Sequence, residues 1–200
     1  MKTAIRSLAF VSLLFVMAAT AARIGSEADD SDPRYLVLDA DAKALRSRFN
    51  DDLGKTRVVM LVSPTCGGCL RGADQVQKKV LAKIDSPDLA AYAVWVPANG
   101  GRERHLPRVL DLVTDARATQ YWDDSDVVEE WYRVMLEFDG PCAGVFMVYG
   151  PEARWDGESP PEPDYWEDAH TDLRAVYLAP QLNARRLAEV VRKQLQRASD

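Results

Sequence analysis

An α/β fold with a mixed sheet is predicted by three features of the chain. Val58-Val59-Met60-Leu61-Val62 is apolar on both alternations, as a strand covered on two faces must be. Val76, Val80, Leu81 and Ile84 then fall at helical spacing, and Leu89 to Val96 is a second apolar run. Strand, helix and strand in that order imply a parallel crossover. Farther on, Val145 to Tyr149 runs into Gly150-Pro151-Glu152, which is expected to turn the chain into an antiparallel partner at Ala153-Arg154-Trp155.

The other elements follow in order. Lys2 and Arg6 precede an apolar run from Leu8 to Met17, and Ala19-Thr20-Ala21 offers a cleavage site. Residues 1–21 therefore read as a secretory signal peptide, the apolar run being well short of the ~20 residues that span a bilayer. Residues 22–34 are polar and acidic and read as a flexible leader, and 35–198 as one domain. Within it, Tyr35 to Leu38 is a short strand, and Asp41 is expected to cap a helix carrying Leu45, Phe49 and Leu53, closed by Gly54. A Gly-rich loop (Asn99-Gly100-Gly101), a short helix from Leu106 to Val113 and a strand from Ala118 to Trp122 follow. Asp123-Asp124 caps a longer helix with Val127, Val128, Trp131, Met135 and Leu136 on its apolar side. Residues 156–172 read as a long surface loop, Arg174 to Leu178 as a short strand, and Asn183 as the cap of a final helix with Leu187, Val190, Val191 and Leu195 inward.

Composition narrows the function. The 200 residues, 47% hydrophobic and 28% charged, suffice for one core, and 3 Cys are too few for a disulfide framework. With 25 Lys+Arg against 31 Asp+Glu, a nucleic-acid binder held by phosphate contacts is excluded. Losing Lys2 and Arg6 with the signal peptide makes the net charge of −6 two units more negative, which opposes binding to anionic membranes.

The chemistry lies in Cys66-Gly67-Gly68-Cys69, between the apolar strand and the helix. Unpaired N–H groups and the positive helix end stabilise a thiolate at Cys66, and Cys69 one turn later can close a disulfide with it. In an exported protein the pair meets oxidants. A CxxC at a strand-to-helix junction, followed by a strand, a Pro-led hairpin and a terminal helix, resembles the thioredoxin-like superfamily. Within it, the secreted TlpA/ResA-like proteins of the peroxiredoxin-like branch are the most similar. The resemblance covers residues 35–195 and implies a three-layer α/β/α sandwich with an expanded segment between the CxxC half and the cis-Pro half. It implies a thiol–disulfide oxidoreductase without cofactor, with Cys66 attacking, Cys69 resolving and Pro141 as the cis proline that shapes the substrate site. Protein thiols or disulfides, and a membrane or periplasmic redox partner, are the implied partners.

The chain also departs from that pattern. Thr65-Cys66-Gly67-Gly68-Cys69 lacks the thioredoxin Trp and Pro, and Met60 stands where a buried acid serves the second cysteine. No His or other cation lies between the cysteines, so the resemblance implies no strongly oxidising couple. Two other readings stay open. Cys66, Cys69 and Cys142, with His105 or His170, form a donor set for copper, zinc or mercury. Alternatively, Cys66 and Cys69 form a permanent structural disulfide in a non-catalytic binding domain.

Overall fold

The computed structural model describes residues 34–170 and 180–197. The signal peptide, the leader up to residue 33 and the expected strand Arg174 to Leu178 lie outside those residues.

The apolar run becomes β2 (Thr56–Val62), buried along its whole length, and the second becomes β3 (Leu89–Trp95), equally buried. Between them lies α2 (Gly67–Lys79), whose last apolar residues continue into a short 3-10 turn at Leu81–Lys83. The expected helix at 106–113 is instead two 3-10 turns, Glu103–Arg108 and Leu110–Leu112, with Pro107 inside the first. Proline removes one backbone donor and clashes with the preceding turn, which keeps such a segment from running on as an α-helix.

Completing the sheet are β1 (Leu36–Leu38), β4 (Ala118–Asp123), β5 (Val145–Tyr149) and β6 (Tyr165–Asp168), in the order β1-β4-β3-β2-β5-β6. The first four run parallel, whereas β5 is antiparallel to β2 and β6 to β5. The sheet is therefore mixed, as expected, but the strand beside β5 is not Ala153 to Trp155. That segment is claimed elsewhere. The Asn50 side chain accepts from the Trp155 N–H (2.9 Å) and donates to its carbonyl (3.0 Å), and Arg57 donates to the Ala153 carbonyl (2.9 Å). The partner of β5 is drawn instead from the stretch read as a surface loop, with Met147 opposite Trp166.

Helices α1 (Lys43–Asp51) and α3 (Val127–Met135) share one face: the Tyr149 ring meets Phe49 edge-on at 5.1 Å, and its hydroxyl lies 2.9 Å from that of Tyr132. Helix α4 (Ala184–Arg197) packs with α2, whose Gly72 faces Phe146 on the opposite side of β5. A Cβ at Gly72 would run into the Phe146 ring and lie 3.0 Å from Leu182, so the helix approaches the sheet only because this residue is glycine. These contacts make three layers, the expected α/β/α sandwich.

Caps refine the expected boundaries. Asp39, not Asp41, accepts from the Lys43 N–H at the start of α1 (2.9 Å), because Ala42 takes the left-handed conformation at the cap. Leu53 is exposed beyond the helix end. Asp123 accepts from the Val128 N–H (2.8 Å) and Asn183 from Arg185 (3.1 Å), as expected.

Beneath α1, Asp52 is buried between Lys55 (2.8 Å), Arg48 (3.1 Å) and the Tyr92 hydroxyl (2.7 Å). Burial raises its pKa, but hydrogen bonds from Lys55 and Tyr92 and the charges of Arg48 and Lys55 outweigh this and hold it below the ordinary value. A carboxyl depressed by folding contributes stability above its unfolded pKa of ~3.9 that is lost as pH falls through the folded value. The urea midpoint is therefore expected to fall with acidification across that window. Asp52→Asn should remove about 1.5–3 kcal/mol at neutral pH and flatten the acid slope; an unchanged slope would refute the assignment.

Candidate active site

The strand that supplies the dithiol ends in a tightly fastened loop. Ser63 Oγ donates to the Ala98 carbonyl (2.6 Å), and Thr65 Oγ1 donates to that of Asn99 (3.1 Å). Gly101 closes against it, since a Cβ there would lie 2.9 Å from the Val96 carbonyl and 3.0 Å from Pro64. The Gly-rich loop read from the sequence thus clamps the approach to the cysteines.

Cys66 is the N-cap of α2, its Sγ accepting from the Cys69 N–H at 3.2 Å, and it is bonded to Cys69 in a disulfide with Cα atoms 5.2 Å apart. Cys66 keeps 8% of its surface and Cys69 none. Of the two sulfurs, only that of Cys66 is within reach of solvent. The helix N-terminus favours negative charge at Cys66 in the reduced pair.

Gly144 lies against the buried sulfur, where a Cβ would lie 3.4 Å from Cys69 Sγ. Pro141, expected there with a cis bond, is exposed, and no peptide bond among the described residues is cis. Gly144 is the residue just before β5, and its φ of 89° suits glycine.

Of the two histidines, His105 accepts from the Arg102 N–H (3.2 Å) in its own 3-10 turn, away from the cysteines. His170 sits at the site, with Nε2 3.1 Å from Cys66 Sγ and Nδ1 2.9 Å from Asp168 Oδ1. Sequence reasoning weighed His170 only as a metal ligand and missed Asp168. Alternation along a strand was the available signal, since residues two apart point to one side, and Asp168 and His170 are so spaced at the end of β6.

The three-thiol donor set is not assembled. Cys66, Cys69 and His170 bring their donor atoms within 4.8 Å of one another, without Cys142. Cys142 is fully buried in the segment leading to β5 and is in no disulfide. With the two sulfurs joined to each other, the cluster offers a metal one imidazole nitrogen. Trp122 lines a cleft with Pro97, Gly101, Arg102 and Arg104, while Trp166 packs on Phe138 at 5.8 Å.

No family model matches the chain, and no curated relative matches it in sequence. Several solved structures are similar to part of it. One is a secreted Mycobacterium tuberculosis disulfide oxidoreductase homologous to E. coli DsbE, 16% identical, with TM-score 0.43, covering 72% of this chain and 84% of its own. The thioredoxin domain of a Bacteroides vulgatus thiol–disulfide oxidoreductase is 17% identical, with TM-score 0.45 and coverages of 72% and 81%. Enterococcus faecalis AhpC is 13% identical, with TM-score 0.48 and coverages of 74% and 80%. No helix among the described residues is long and apolar enough to cross a membrane.

Proposed function

We propose that the protein is a thiol–disulfide oxidoreductase, exported by residues 1–21, that exchanges disulfides with protein substrates through Cys66 and Cys69. The observation that carries this reading is the closed pair at the start of α2, with one sulfur at the surface and its partner buried one turn behind. Exchange needs that asymmetry. A substrate thiolate attacks Cys66 Sγ, the Cys66–Cys69 bond breaks, and Cys69 leaves as a thiolate; a second substrate thiol then displaces Cys66, leaving substrate disulfide and protein dithiol. The reverse sequence reduces a substrate. Turnover requires a membrane or periplasmic redox partner to restore the starting state.

The test is a redox titration of the mature protein in thiol/disulfide buffers, with each cysteine read by mass spectrometry. Interconversion of Cys66 and Cys69 between the ~−270 mV of thioredoxin and the ~−120 mV of DsbA is expected, and the value gives the direction. A pair that stays oxidised well below that range is a structural disulfide and sinks the proposal.

A further inference from the structure

We propose that His170 is a catalytic acid–base group for Cys66 and that Asp168 positions it, so that the site is a Cys–His–Asp relay built onto a dithiol. This rests on the reading of Cys66 and Cys69 as an exchanging pair, and it supplies from just beyond β6 the histidine that the residues between the cysteines lack.

The geometry is that of a triad. His170 Nε2 contacts the exposed sulfur, and its other ring nitrogen is held by a carboxylate whose same oxygen also accepts the His170 backbone N–H (2.9 Å). A carboxylate on Nδ1 keeps the proton on that nitrogen and turns the Nε2 lone pair toward Cys66. Asp168 is itself fixed: its side chain is 6% exposed, its N–H donates to the Pro180 carbonyl (3.1 Å) and its carbonyl accepts from Leu182 (2.7 Å). Two glycines from separate segments clear the space for the ring. A Cβ at Gly144 would lie 2.8 Å from Nδ1, and one at Gly68 would lie 3.2 Å from Nε2. The Ala169 N–H donates to the Gly144 carbonyl (2.8 Å), which ties the histidine's segment to the residue facing the dithiol.

Among the described residues, the titratable groups against the ring are Cys66 and Cys69 at the start of α2 and Asp168 on β6; the Arg71 guanidinium lies beside Gly67. When the reduced protein meets a protein disulfide, Cys66 gives its proton to Nε2 as its sulfur attacks. The first substrate sulfur leaves and takes that proton back. Cys69 then attacks Cys66 Sγ, its proton passes to the second departing sulfur, and one protein disulfide replaces one substrate disulfide.

The experiment compares wild type, His170→Ala and Asp168→Asn as reduced full-length proteins. It measures the alkylation rate of Cys66 by iodoacetamide across pH and the exchange equilibrium with glutathione. Wild-type Cys66 is expected to react well below the ~8.5 of an ordinary thiol. His170→Ala should slow alkylation at neutral pH at least tenfold, and free imidazole should restore part of the rate. Its exchange equilibrium should move at least tenfold, ~30 mV, toward the reducing side. Asp168→Asn should shift the profile in the same direction by less. A His170→Ala profile and equilibrium identical to wild type overturn the relay and leave the dithiol assignment standing. A shifted alkylation profile in a protein that exchanges with no disulfide upholds the relay and overturns the exchange reading.

Discussion

Cys66→Ser is expected to bring disulfide exchange down to the rate seen without protein, whereas Cys69→Ser should still attack and then accumulate mixed disulfides with its substrates. The difference follows from exposure. Cys66 is the sulfur that solvent reaches and that the helix N-terminus favours as a thiolate, and Cys69 is sealed beneath Gly144. Without Cys69 the first covalent product has no internal sulfur to release it. Reduction of a protein disulfide followed by mass spectrometry of alkylated adducts reads both outcomes. Exchange retained by Cys66→Ser would show that the chemistry lies elsewhere.

The largest expected effect on stability is at Arg57, a residue that looks out of place within an apolar strand. Its guanidinium is fully buried and lies 4.4 Å over the Phe49 ring. It donates to the carbonyls of Phe49 (3.0 Å), Ala153 (2.9 Å) and Gly150. Burial draws its pKa below the ordinary arginine value, with Tyr92, Asp52, Tyr149 and Asp164 opposing the shift. Arg57→Ala strands three carbonyls and opens a cavity, a loss of about 3–5 kcal/mol set against the ~5–15 kcal/mol of a typical domain. Arg57→Lys should recover only part of it, since an ammonium cannot fork to carbonyls on separate segments. Urea unfolding of both variants checks this, and a loss under about 1 kcal/mol for Arg57→Ala would contradict it.

Arg57 also explains what the sequence concealed. β2, α2 and β3 were legible because strands covered on both faces have unbroken apolar runs, and the helix between them keeps its own period. Cys66 and Cys69 were legible because their placement at the end of a strand is local. The partner of β5 was not. Gly150-Pro151-Glu152 resembles a hairpin turn, but the backbone after it is fastened by Asn50 and Arg57, about a hundred residues earlier in the chain, and no local rule registers such a contact. With β6 displaced to Tyr165–Asp168, the approach of His170 to Cys66 across 104 residues was equally hidden. The cis-proline expectation came from the resemblance alone, and Gly144 rather than Pro141 stands next to the dithiol.

The buried place of Cys142 bears on how the chain is made. Three thiols in an unfolded chain allow Cys66 to pair with Cys69, Cys66 with Cys142, or Cys69 with Cys142, and the folded protein holds the first. Packing before β5 acts as a protecting group: an oxidant meeting the finished fold finds Cys66, while one meeting the chain earlier finds three comparable nucleophiles. Correct pairing therefore depends on β5 docking before an oxidant arrives.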